Sequence, residues 1–176
     1  MSTVTVTIEL ACEADFEEVD RVIREAYAHD YGPSTQGTAR PDPMLFASGR
    51  AEQFNVWVAR DEHGMIVGSV TTRRAGGPSL HEDALPHELD LRLVGVSPSA
   101  RRRGIAAQLM RHVTEHAGEV GFTGVFFKTA PHMTPAHHLY DALGFIRAHD
   151  RDGLWIGGEK QFDLFSYVMP LDGSPA

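Results

Sequence analysis

The chain has 176 residues, 42% of them hydrophobic and 23% charged, with 24 acidic against 16 basic side chains for a net charge of −8. That length suits one domain over residues 1–176 and buries roughly 70% of the surface the unfolded chain exposes. No apolar run approaches the roughly 18 residues of a membrane span, the acidic balance disfavours nucleic acid, and the single cysteine, Cys12, excludes an internal disulfide. The N-terminus lacks the basic n-region of a secretory signal, so a cytoplasmic location is expected. Acidity suits a cationic acceptor such as an amine, and it equally serves solubility alone.

Residues 4–10 alternate β-branched or apolar side chains with polar ones and read as a strand. Phe16, Val19, Val22, Ile23 and Ala26 recur at helical spacing, which predicts an amphipathic helix over residues 14–27. Residues 29–43 are rich in Gly, Pro, Ser and Thr and read as a loop, with a short helix after it over residues 44–53. Strands are predicted at 55–59 and 65–72 around a hairpin turn at 61–64. Residues 73–86 contain Gly76-Gly77-Pro78 and read as a long connection to a strand at 88–96. A helix over 105–117 places Ile105, Leu109, Val113 and, beyond its end, Val120 on one stripe. Residues 124–130 read as a buried strand and 136–143 as a short helix stopped by Gly144. The segments 147–155 and 162–169 read as a closing pair of strands. The order β-α-(α)-β-β-β-α-β-α-β-β, without repeat or linker, fits one mixed α/β sheet with helices on its faces.

The strand at 88–96 leads through Ser97-Pro98-Ser99-Ala100 into Arg101-Arg102-Arg103-Gly104-Ile105-Ala106, where a helix opens. Small residues there let a large anion approach the backbone. The first helical N–H groups have no internal partners, and the macrodipole adds positive potential. Such a turn suits a pyrophosphate, and three arginines beside it offer planar donors to phosphate oxygens. A basic loop with a helix-packing glycine is the alternative. The turn is neither a Walker loop, since no Gly-Lys-Ser/Thr follows, nor a Gly-x-Gly-x-x-Gly.

This Arg101–Ala106 run resembles the Gln/Arg-x-x-Gly-x-Gly/Ala signature of the GNAT superfamily of acetyl-CoA-dependent N-acetyltransferases. Ala136-His137-His138-Leu139-Tyr140-Asp141-Ala142-Leu143-Gly144-Phe145 is similar to that family's A-x-x-L-Y-x-x-L-G-F segment. The likeness in motif covers about residues 88–107 and 136–146, and in element order most of the chain. It implies an α/β (α+β) fold with a mixed, mostly antiparallel sheet of six to seven strands flanked by helices. It also implies acetyl-CoA as co-substrate, no metal, and an amine acceptor, either a small molecule or a protein amine. In this resemblance the strand at 88–96 splays from its neighbour, the exposed backbone of Val94, Gly95 and Val96 pairs with the pantetheine arm, and Arg101, Arg102, Arg103, Gly104, Ile105, Ala106 and Ala107 surround the pyrophosphate. Tyr140 takes the place of a general acid, because a phenol of ordinary pKa, about 10, can protonate a departing thiolate and recover the proton. A packed aromatic is the alternative. One departure stands out: the family's asparagine seven residues before this tyrosine is here Met133. A homodimer through the C-terminal strands is common in the family.

Side chains on the strand 88–96 should alternate faces, with Glu88, Asp90, Arg92, Val94 and Val96 on one and Leu89, Leu91 and Leu93 on the other. The resemblance puts a carboxylate base at Asp90, with Glu88 second, or a water in its stead. An Asp90–Arg92 pair on the shared face is the structural alternative. Among the ten histidines, His112 and His116 have the i, i+4 spacing of a zinc pair but lack a third ligand of matching spacing. His81 and His87 belong to an acidic connection just before this strand and read as an exposed, solvated loop, with lining of the acceptor pocket as the alternative. Cys12 lies outside both motifs, so direct attack is expected rather than an acyl-enzyme. A GNAT-like domain that binds acyl-CoA as a sensor, without turnover, is the alternative from another class.

Overall fold

Apolar periodicity builds the elements of a computed structural model that describes residues 4–31 and 43–171. In chain order these are β1 (Thr7–Leu10), α1 (Phe16–Tyr31), α2 (Ala47–Arg50), β2 (Phe54–Arg60), β3 (Ile66–Arg73), β4 (Glu88–Val96) and α3 (Ile105–Glu119). Then follow β5 (Gly124–Thr129), α4 (Thr134–Ala142), β6 (Ile146–Arg147), β7 (Leu154–Ile156), β8 (Glu159–Phe162) and β9 (Phe165–Pro170). The loop expected over 29–43 lies, from residue 32 to 42, outside the described residues.

Seven strands form one sheet in the order β1-β2-β3-β4-β5-β9-β6. All its pairs are antiparallel except β4 with β5. This is the mixed, mostly antiparallel sheet flanked by helices that the sequence implies. On one face α1 buries Val19, Val22 and Ile23 against Val56, Val58 and Ile66. On the other, α3 buries Leu109, Met110 and Val113 in a cluster with Leu89, Leu91, Phe127, Tyr140 and Tyr167. Full burial of each such aliphatic side chain contributes roughly 1.5–3 kcal/mol. Both helices lie close to the sheet. A Cβ on Gly95 would stand 2.9 Å from the Ile23 side chain of α1, and one on Gly68 3.1 Å from Leu109 of α3.

Two expectations are corrected. Val120 is not on the buried stripe of α3: it caps the helix end and is 39% exposed. The closing segments do not pair as two long strands. Of the first only Arg147 joins the sheet, opposite Tyr167 of β9 and preceded by Ile146 opposite Val168, and β9 itself pairs with β5. Residues 154–162 fold back as a separate hairpin, β7–β8. Gly157 and Gly158 link it with φ of 60° and 82°, the positive values a two-residue type I′ turn requires. No helix among the described residues is long and apolar enough to cross a membrane.

Candidate active site

The site grows from an irregularity in β4. Ser69 of β3 pairs with Gly95 and Thr71 with Arg92, so two steps on β3 face three on β4. The extra residue is a β-bulge at Leu93, whose φ of 58° is left-handed, a conformation that costs a non-glycine residue roughly 1–2 kcal/mol. One inserted residue reverses the alternation that follows. Leu93 therefore packs toward α1, while Val94 and Val96 join Leu89 and Leu91 on the α3 face. The single shared face expected for Glu88, Asp90, Arg92, Val94 and Val96 is thus corrected: the first three keep one face and the two valines cross to the other.

The bulge also parts β4 from β5. Their parallel pairing runs from Glu88↔Gly124 to Leu91↔Phe127 and stops there. Beyond it, β4 continues beside β3 as far as Val96, and β5 continues beside β9 to Thr129. Between the parted strands lies a cavity of about 480 Å³, in the size range of small-molecule sites. Leu91, Val94, Phe127 and Tyr140 line it from the α3 face, and His81, Arg92, Leu93 and Lys128 from the opposite side. The opening therefore passes through the sheet.

Tyr140 is held by aromatic packing. Its ring meets Phe127 edge-on at 4.6 Å and Tyr167 at 5.5 Å between centroids, and it is 7% exposed where it lines the cavity. Burial first, and then the Asp141 carboxylate, pushes the neighbouring Tyr167 phenol above its ordinary value. Met133, in the place of the family's asparagine, is the residue before α4 and lines the same cavity.

At the head of α3, Arg102 and Gly104 have φ of 63° and 75°. These left-handed residues fold the backbone into a concave turn at a helix N-terminus, a shape suited to an anion. Ile105, Ala106 and Ala107 form the first turn, whose N–H groups find no partner within the helix. The three arginines differ. Arg101 donates to the Val96 and Ala26 carbonyls at 3.0 and 3.4 Å, bracing the turn against β4 and α1, while Arg102 and Arg103 are exposed. The main chain at Val4 ties the turn from outside, donating to the Arg103 carbonyl at 3.1 Å.

The strand carboxylates have partners that the strand alone does not disclose. Both Glu88 oxygens accept from the Arg151 guanidinium, at 2.8 and 2.9 Å, and one also accepts from the Leu85 N–H at 2.8 Å. Burial works against the Arg151 charge, and the hydrogen bonds and charge of Glu88 together with the charges of Asp83 and Asp150 more than offset it, so its proton is held more tightly than usual. Asp90 does not pair with Arg92. Its Oδ2 accepts from the Leu80 and His81 N–H groups, at 2.8 and 2.7 Å, and lies 3.0 Å from His81 Nδ1. Asp90 is 0% exposed and His81 only 6% exposed, so the expectation of a solvated His81 is corrected. Lys128 Nζ, also buried, donates to Asp83 and to the carbonyls of Arg151 and Gly153.

Of the two readings of His81, the structure favours the pocket-lining one; Lys128 on β5 and Arg151 after β6 were not legible as site residues, because the partners that bury them come from other elements. One signal was available: a carboxylate on a buried strand requires a donor nearby. His112 and His116 instead set their rings edge-on against Trp57, at 4.6 and 4.8 Å.

Comparison with known proteins agrees with this geometry. The family model described as the Acetyltransferase (GNAT) family matches residues 17–145. The mycothiol acetyltransferase of Nocardia farcinica is 31% identical over 141 residues, which are 77% of this chain and 43% of that protein. The chain spans half or less of the length of the curated relatives it matches, from 38% to 49%. Among solved structures, a GNAT-family acetyltransferase from Staphylococcus aureus Mu50 superposes with a TM-score of 0.72 at 17% identity, covering 96% of this chain and 100% of the other. A Salmonella typhimurium protein solved with its cofactor acetyl-CoA gives 0.70 at 20% identity, covering 98% and 97%. At such identities these two likenesses concern the fold alone.

Proposed function

Since the chain belongs to the GNAT acetyltransferase family, we propose that it transfers an acetyl group from acetyl-CoA to an amine by direct attack. The observation that carries this reading is the cavity that passes through the sheet where β4 and β5 part. Two substrates can meet there from opposite faces, so no acyl-enzyme is required. Cys12 is exposed and bonds to Asp15, outside the cavity lining.

The residues present fit acetyl-CoA. The β4 edge at Val94, Gly95 and Val96 lies past the point where β5 leaves it and suits the amide groups of a pantetheine arm. The turn Arg101, Arg102, Arg103, Gly104 with the helix start Ile105, Ala106, Ala107 suits the pyrophosphate. Acetyl-CoA supplies an activated acyl carbon and a thiolate leaving group. Tyr140 protonates that sulfur as the C–S bond breaks. The amine approaches from the face of Asp90, and its proton leaves on that side. Of the two strand carboxylates, Glu88 has both oxygens on Arg151, so proton removal belongs to the surroundings of Asp90 rather than to those of Glu88. The cytoplasm is the proposed location.

Thiol release from acetyl-CoA with a panel of amines tests the reading, set beside the rise in melting temperature with acetyl-CoA alone. Amine-dependent release is the expected result. Stabilisation without release on any amine would make this a binding domain.

A further inference from the structure

We infer that His81 is the proton acceptor for the attacking amine and that Asp90 is its positioning residue, an assignment that rests on the acyl-transfer reading above. Asp90 does not take the proton from an amine directly, since it is 0% exposed and absent from the cavity lining: its Oδ2 is shared by two backbone N–H groups and an imidazole nitrogen, and its Oδ1 is buried without a hydrogen-bond partner among the described residues. A carboxylate only accepts hydrogen bonds, so the 3.0 Å contact puts the ring proton on His81 Nδ1 and leaves the lone pair on Nε2. His81 lines the through-sheet cavity and Asp90 does not. The ring is fixed on a second side by the Phe126 face, edge-on at 5.4 Å. A base oriented by a buried carboxylate, across the cavity from a phenol, is the arrangement that moves two protons in opposite directions.

Other groups about the cavity are less suited to the task. Lys128 spends its three donors on Asp83 and two carbonyls. Arg92 is a guanidinium, which offers no lone pair to a proton, and Asp163 pairs with Lys160. Tyr27 of α1, Tyr140 and His132 also line the cavity, and His132 is exposed on the connection before α4. Arg151 lies over the other part of the Phe126 ring, at 3.7 Å, and completes the charged groups packed about His81.

The step balances as follows. The ammonium form of the acceptor gives one proton to His81 Nε2, leaving a neutral amine and an imidazolium. The nitrogen lone pair forms the C–N bond at the thioester carbon. The C–S bond then breaks with its electron pair on sulfur, which takes the Tyr140 proton. The second nitrogen proton returns to the Tyr140 oxygen, and the imidazolium releases its proton to solvent. Products are an amide, CoA thiol and one proton.

The test is single-turnover acetyl transfer from saturating acetyl-CoA in His81→Gln, His81→Ala and Asp90→Asn, beside the parental chain. His81→Gln should lose roughly 10²–10⁴-fold in rate with acetyl-CoA affinity unchanged. Its kcat/KM should also lose the acid-side limb of the parental pH profile. Added imidazole should restore rate to His81→Ala in proportion to its concentration. Asp90→Asn should keep the limb but shift it. Where Asp90→Asn does not fold, the two His81 variants, which retain the carboxylate and both its backbone donors, carry the test. A parental rate in His81→Gln overturns the assignment, as does a loss that is uniform in pH and untouched by imidazole. Disappearance of the acid limb in His132→Gln rather than in His81→Gln also overturns it. A parental chain that binds acetyl-CoA and acetylates no amine overturns the acyl-transfer reading itself, and this assignment with it.

Discussion

The two faces of the sheet at β4 and β5 are built on different physical terms. Toward α3 and α4 the packing is apolar: Leu89, Leu91, Phe127, Tyr140, Phe145 and Tyr167 form one cluster, with aromatic rings edge-on or stacked on Phe127. Across the strands, the Phe126 ring is surrounded by polar side chains, with the cations of Arg151 at 3.7 Å and Lys128 at 5.5 Å and the His81 ring at 5.4 Å. Glu88, Asp83 and Asp90 complete that network. The apolar face tolerates exchange of its members, because burial is non-directional and follows area. Its charged counterpart does not, since removing one partner strands another charge out of water. Chemistry at the cavity needs both: dry walls for the thioester and fixed polar groups for the protons.

The largest expected effect lies on the apolar face. Tyr140→Phe keeps the ring among Phe127, Phe145 and Tyr167 but removes its proton. The single-turnover rate should fall roughly 10²–10⁴-fold while acetyl-CoA affinity holds, because the interaction matters only as charge develops on sulfur. A parental rate would reduce Tyr140 to a packing residue. Next comes the charged face. Arg151→Met leaves Glu88 buried without its bidentate partner and should cost about 3 kcal/mol of unfolding free energy by chemical denaturation. A cost near zero would mean that water reaches Glu88 freely.

The phosphate turn separates stability from binding. An acidic residue in the first turn of a helix is favourable by roughly 0.3–1 kcal/mol. Ala107→Glu should therefore leave the melting temperature unchanged or raised, yet weaken acetyl-CoA about tenfold or more by calorimetry, through repulsion of the pyrophosphate. Unchanged affinity would move the pyrophosphate elsewhere. This variant is cleaner than a bulky residue at Gly104, where a φ of 75° adds backbone cost of its own.

The smallest effect is a pH dependence on the apolar side. Burial first, and then the neighbouring His116, hold the His112 imidazole below its ordinary value, and its Nε2 is buried without a hydrogen-bond partner among the described residues. The unfolded chain takes up a proton near an ordinary value of about 6.5, while the folded chain resists until the pH is lower. Stability is therefore full above about 6.5 and declines as pH falls through the folded value. In His112→Leu, denaturation midpoints should lose part of that acid-side slope. An unchanged slope would assign it to other groups.

The bulge at Leu93 marks where reading residues in order stops sufficing. Strict alternation put Val94 and Val96 beside Asp90, and one extra residue sent them to the opposite face. Nothing local in Leu91-Arg92-Leu93-Val94-Gly95 announces a left-handed leucine, since glycine is the usual carrier of positive φ. His81 is a parallel case. It lies nine residues before Asp90, in a connection without periodicity, and its burial depends on that carboxylate and on Phe126 of another strand.

The sequence by itself determined the elements and their order as far as α4, the apolar faces of α1 and α3, the turn that opens α3, and the placement of Tyr140 on a short helix beyond β5. Those features rest on local propensity, on hydrophobic period and on two motifs read within a few residues. Only the tertiary structure decided that β4 bulges at Leu93, that Glu88 belongs to Arg151, 63 positions away, and that Asp90 belongs to His81. Such pairings arise because a buried charge must find a partner wherever the fold brings one, and distance along the chain does not constrain that choice.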